Sequence, residues 1–303
     1  MIKSLTVTNY LGEELYLELA NPEQSGFAIE GISGLGPGKS TINITEIATN
    51  DGSLYNSAHI GSRNIVISLI FISDDIESAR QKTYKYFAIK KPLHLVFETD
   101  NRICEIRGYV ESNEPIIFSS RENTQISIIC PSPYFYSSGK DSTSFILFSG
   151  VEATFEFPFE NNSLDLPLIE FGIINNSTEK LIYYYGDADI GVIIRIHAIG
   201  SASNITIYNT GTHESMIIDT NKLEVLTGFG VIQGDDIIIS TVKGSKSIFL
   251  LRDGIYTNIL NCLDKESDWL QLTRGDNVFA YTAESGSTNL NFIVEHQTIY
   301  EGV

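Results

Sequence analysis

Residues 51–97, DGSLYNSAHIGSRNIVISLIFISDDIESARQKTYKYFAIKKPLHLVF, decide how the rest of the chain is read, because they hold the one segment with a convincing helical pattern. Ile65–Ile72 is a dense β-branched and aromatic run, suited to a strand buried on at least one face. Asp74 then offers an N-cap with Glu77 three residues on, and Asp75 and Glu77 sit where the helix dipole favours negative charge. Ile76, Ala79, Thr83 and Phe87 recur at helical spacing, lysines load the far end, and Pro92 stops the helix before a strand at Leu93–Phe97. The unit reads as strand, one short helix, strand.

Outward from this unit, the pattern is β. Segments 2–8 and 14–19 alternate around a turn at Asn9–Gly12, and Phe27–Ile32, Arg102–Glu111 and Gln125–Cys130 are further strands, the last two separated by an irregular connection containing Pro115. The tract GLGPGKST (34–41) ends in Gly-Lys-Ser but lacks the P-loop spacing, and the alternating INITEIA after it is strand-like where a phosphate loop must open a helix. The Pro131–Pro133 pair followed by Ser137-Ser-Gly139 marks a domain junction, giving domains 1–136 and 137–303. From Ser144 onward short apolar runs are punctuated by Gly, Asn and Asp with no helical period, which indicates an all-β sandwich or jelly roll.

The chain has 303 residues and a formal net charge of −18, with 11 Lys/Arg against 16 Asp/Glu in residues 1–136 and 9 against 22 in residues 137–303. Affinity for nucleic acid comes largely from basic groups that release counterions, so this balance argues against a phosphate-tracking surface. Cys104, Cys130 and Cys262 are widely spaced and form no CxxC, which indicates neither a disulfide framework nor a zinc site. The first residues lack a signal-peptide core and no apolar run reaches membrane-spanning length, so synthesis in a reducing cytoplasm and no membrane partner are expected.

No constellation for chemistry stands out. The five histidines are scattered without HxH or HExxH spacing, and no Gly-x-Ser-x-Gly elbow occurs. Asp187 with Asp189 and Asp235 with Asp236 read as turn residues rather than paired glycosidase carboxylates. No catalytic residue, cofactor or metal is expected. Trp269, the only tryptophan, is the candidate for glycan stacking, against a packing role beside Leu270 and Leu272. Tyr183–Tyr185 and Tyr134–Tyr136 are aromatic clusters in which alternate residues must face a core.

The ordered series GSRNIVISLIF, the helix, KKPLHLVFETDNR and the Cys-Pro-x-Pro-Tyr-Phe close of the first half resembles the distal tail proteins of long-tailed phages. The second half is similar to their C-terminal domain in YYGDADIGVIIRIHAIG, QGDDIIISTVKGSKSIFLL, DWLQLTRGDNVFAYTA and the final YEGV. The resemblance implies a mainly β chain: a tail-tube-like β-barrel with one helix in the first half and a galectin-like sandwich in the second. It also implies a homo-hexameric ring, a hub at the virion tail tip that joins the tail tube protein to the tail-tip protein and to receptor-binding proteins, with no enzymatic activity. The alternative is a carbohydrate-binding, lectin-like module for host attachment. Within a ring, the Gly-punctuated segment 49–63 is expected as a loop that extends across a neighbour, placing Tyr55, His59 and Arg63 near a subunit contact.

Overall fold

The computed structural model describes residues 1–47, 51–119, 121–139, 142–147, 149–152, 173–176 and 178–303. They are mainly β and form two compact units, Met1–Ser142 with Ile299–Val303, and Thr143–Thr298.

In the first unit the strands are β1 (Ile2–Thr8), β2 (Glu14–Glu18), β3 (Phe27–Ser33), β4 (Ser40–Glu46), β5 (Ser53–Ile60), β6 (Arg63–Phe71), β7 (Pro92–Thr99), β8 (Ile103–Ile116), β9 (Asn123–Cys130) and β10 (Phe135–Ser137), with α1 at Ile76–Tyr86. The main sheet has the antiparallel order β2-β1-β7-β8-β9-β6-β3. Strand β8 serves two halves of this sheet. Residues 103–109 pair with β7, whereas 109–116 pair with β9, and a register shift between Val110 and Ser112 lies where the strand changes partners. Such a bulge bends a strand. One apolar core results, built from Leu5, Val7, Phe27, Ile65, Ile67, Phe97, Ile106, Ile128 and Phe135, with Ala79 and Phe87 contributed by the helix segment.

Local chemistry explains the elements and corrects three expectations. The N-cap of α1 is Asp75 rather than Asp74: its carboxylate accepts from the Ser78 amide at 3.0 Å. The Pro115 region is not an irregular connection but the end of β8, paired with Thr124. Proline is tolerated there because β7 covers only residues 103–109 of β8, leaving the far stretch paired on one side. Segment 53–60 is a strand rather than a loop, paired along its length with β4. At the β1–β2 turn the Asn9 carboxamide accepts from the amides of Leu11 and Glu13, an Asx turn that fixes the hairpin.

The second unit holds β11 (Thr143–Leu147), β12 (Ser149–Glu152), β13 (Ile173–Asn176), β14 (Glu179–Tyr184), β15 (Ile190–Gly191), β16 (Ile193–Ala198), β17 (Ser203–Asn209), β18 (Ser215–Ile218), α2 (Thr220–Thr227), β19 (Asp236–Ser240), β20 (Ser247–Arg252), β21 (Ile255–Asn258), β22 (Gln271–Leu272), β23 (Gly275–Ser285) and β24 (Leu290–Gln297). A six-stranded sheet, β11-β24-β16-β19-β20-β21, and a four-stranded sheet, β14-β23-β17-β18, make the sandwich. Tyr281 stacks on Phe292 with ring centroids 3.8 Å apart, and Tyr184 meets His296 edge-on at 5.6 Å, so rings from both sheets meet in the core. Of the tyrosine triplet, Tyr184 is the buried member and Tyr183 and Tyr185 are exposed. The run ATFEFPF and most of PLIEFGIIN lie outside the described residues.

An all-β reading of the second half missed α2. Asp219 caps it by accepting from the amides of Asn221 and Lys222, and Gly228 ends it in the left-handed conformation. The chain then closes with β25 (Ile299–Tyr300), which belongs to the first unit and pairs with β10.

Candidate functional site: an exposed β-arm and its anchored root

Among the described residues, strands β4 and β5 pair only with each other and form a two-stranded sheet of their own. Every residue of β4 is exposed, as is all of β5 except the half-buried Ile60. At ~3.4 Å per residue, seven residues reach roughly 24 Å. An isolated hairpin is marginal in water, so side-chain bonds matter here. Asn43 donates to Ser57 at 2.9 Å and Asn56 to Thr45 at 2.6 Å. The Asn56 position is the extra residue of a bulge between Asn43 and Ile44.

Residues directly opposite one another share a face. One face of the arm therefore carries Ile42 with Ala58, Ile44 with Tyr55 and, at its far end, Glu46 with Ser53, while the other carries Thr41 with His59, Asn43 with Ser57 and Thr45 with Leu54, the one large apolar residue on that side. Ile42 is 59% exposed and Tyr55 66%. An apolar face on an element that its own chain does not cover marks a surface for association.

The root is built differently. Arg63, the first residue of β6, is only 6% exposed. Its Nε donates to the Pro133 carbonyl at 2.7 Å, Nη1 to the carbonyls of Gly34 and Gly36 at 2.5 and 2.6 Å, and Nη2 to that of Glu301 at 2.7 Å. The guanidinium also lies 4.6 Å from the Phe135 ring centroid. Burial pushes its pKa down from the ordinary arginine value, with Cys130 and Glu301 acting the other way. One side chain thus ties the Gly-rich tract, the Pro133 segment and the returning C-terminal stretch together. The Val303 amide adds a bond to the Leu35 carbonyl at 3.0 Å. Gly34 sits at φ +84° with the Asn64 carbonyl where a Cβ would stand, which explains a glycine there without any phosphate.

The three residues expected at a subunit contact are therefore distributed: Tyr55 on the apolar face of the arm, His59 on its polar face, and Arg63 buried at its base. Trp269 is half-buried, and the Lys246 ammonium stands 5.0 Å from its ring centroid. The pair of the buried Asp235 and the half-buried Arg252, joined through Nε and Nη2 at 2.7 and 2.6 Å, has no sequence signal beyond an ordinary Gly-Asp turn. Arg252 also donates to the Gly230 carbonyl and Thr227, so the pair fixes the loop between α2 and β19. Among the described residues no group of three or more His, Cys, Asp or Glu is placed to hold a metal ion, and no helix is long and apolar enough to cross a membrane.

No family model and no curated protein matches the chain. Among solved structures, the SPP1 Dit protein, described as a paradigm of the hub adsorption apparatus in phages infecting Gram-positive bacteria, aligns with a TM-score of 0.65 and 14% identity over 97% of this chain and 98% of its own. Chains of the phage P2 baseplate in its activated conformation align at 12% identity, with TM-scores of 0.49 for the calcium form and 0.48 for the strontium form, over 98% and 97% of this chain and 99% and 98% of theirs. The described residues share their fold with the SPP1 Dit protein.

Proposed function

We propose that this chain is a structural hub protein of a phage tail tip, a distal tail protein whose first unit closes into a homo-hexameric ring. The ring would join the tail tube protein above to the tail-tip protein below, with receptor-binding proteins as further partners. The observation that carries this reading is the arm: an amphipathic hairpin whose apolar face is left exposed among the described residues, in a chain similar in fold to SPP1 Dit. Association of this kind is heterologous, since the arm of one copy must meet a different surface on the next. The role is one of assembly rather than catalysis. A lectin role would need an open aromatic platform, and at Trp269 the Lys246 ammonium stands over the ring.

Native mass spectrometry of the purified chain over a concentration series tests the reading. Closed oligomers are expected for the wild type, and Ile44→Asp with Tyr55→Asp, which places two charges on the apolar face, is expected to leave monomers. A wild type that stays monomeric at every concentration, or a variant that assembles equally well, contradicts it.

A further inference from the structure

We infer that the seat for a neighbouring copy's arm is the corner where the β1–β2 turn meets the C-terminal end of α1. The inference rests on the ring reading and names the receiving surface that reading requires. Tyr10 and Leu11 at the turn, and Tyr84 and Ile89 at the helix end, are all exposed, Leu11 to 61% and Ile89 to 53%. They belong to one locality. The Asn9 carboxamide donates to Glu13 at 2.9 Å and to the Lys85 carbonyl at 3.5 Å, the Lys85 ammonium pairs with Glu13 at 2.6 Å, and the Lys91 ammonium lies 5.3 Å from the Tyr10 ring centroid.

Charge selects the occupant. With Lys85 matched by Glu13, Lys90 and Lys91 against the exposed Glu14 still leave this corner with one net positive charge, in a chain whose net charge is −18. The arm carries the opposite sign: from Ser40 to Ile60 its charged residues are Glu46 and Asp51, with no Lys or Arg. Apolar groups match as well, Ile42, Ile44 and Tyr55 on the arm against Tyr10, Leu11, Tyr84 and Ile89 on the corner. Within one copy neither surface covers the other, because both are exposed.

Sheet register agrees with this pairing. Pro92, Tyr109, Ile129 and Asn64 form one continuous rung across β7, β8, β9 and β6. The arm rejoins the sheet at Arg63, one residue from that rung, and the corner ends at Lys91, one residue from its other end. This rung puts the root of the arm level with the corner along the strands, on opposite sides of the sheet, so the arm leaves its own copy far from the corner of that copy.

Charge exchange tests the seat. Lys90→Glu with Lys91→Glu, and separately Glu46→Lys with Asp51→Lys, should each raise the concentration for half-assembly about tenfold, and combining all four should return it to within about threefold of wild type. An Asp51→Cys, Lys91→Cys chain should give an intersubunit disulfide ladder under mild oxidant, since Cys104, Cys130 and Cys262 are buried. If the reversed corner assembles like the wild type, or the cysteine pair stays unlinked in assembled protein, the seat is overturned while the ring stands. A wild type that never assembles overturns both.

Discussion

At the root of the arm, the Arg63 guanidinium serves four backbone carbonyls from three separate stretches of chain. Lysine, with a single ammonium, cannot reproduce that fork. Arg63→Ala leaves those acceptors without their donor in a buried site, and a loss of about 3 kcal/mol from the first unit is expected, of which Arg63→Lys recovers less than half. Urea unfolding followed by circular dichroism measures it, with Trp269 fluorescence as control, because the single tryptophan lies in the second unit. A loss below about 0.5 kcal/mol would remove Arg63 from the anchoring role.

His296 makes a second prediction at this scale. Burial beside Tyr184 holds its pKa below the ordinary value of 6.5, with the Gln297 carbonyl pulling the other way. The unfolded chain therefore takes up this proton at a higher pH than the folded one. Its contribution to stability is complete above about pH 6.5 and declines as the pH falls below that value. Unfolding followed by Trp269 fluorescence should show this slope, and His296→Gln should flatten it; an unchanged slope contradicts the assignment.

As an element, the arm is separable from the core it leaves. Its strands lend no side chain to the apolar cluster of the first unit. Replacing residues 41–60 by a short Gly-Ser link should therefore leave the melting temperature within about 2 °C of the wild type by calorimetry. A larger fall would mean that the arm supports its own unit. Elements were legible in the sequence where local chemistry was strong: α1 from its spacing and lysine-rich end, and the β1–β2 hairpin from its turn residues. The arm was half visible. INITEIA alternates like a strand, whereas SLYNSAHI is broken by small polar residues and has the pattern of a loop, because no buried face imposes a clear alternation on it. Helix α2 spans only eight residues with a weak apolar stripe, although Asp219 and Gly228 were its punctuation. Pro115 suggested a break because proline is rare in strands, and pairing on one side alone is a tertiary fact.

Across the whole molecule, sequence patterning separated two β-rich parts and placed their junction among Pro131–Gly139, whereas the compact units divide after Ser142. The return of Ile299–Val303 to the first unit could not be read, since it depends on Arg63 and Leu35, more than two hundred residues upstream. Such long-range closure leaves no periodicity. The candidate site was legible only in part: segment 49–63 was singled out, but the face that carries Tyr55, the opposite face that carries His59 and the burial of Arg63 follow from register and packing. Charge is a property at this scale too. A net −18 opposes self-association, and the proposed seating of an acidic arm on a basic corner would supply local attraction against it.

Cryo-electron microscopy of the assembled chain tests this account most directly. It predicts a closed ring of identical subunits in which each arm lies with Ile42, Ile44 and Tyr55 against the next copy and His59 toward solvent. Particles that remain monomeric, or a ring whose arms project freely into solvent, would contradict it.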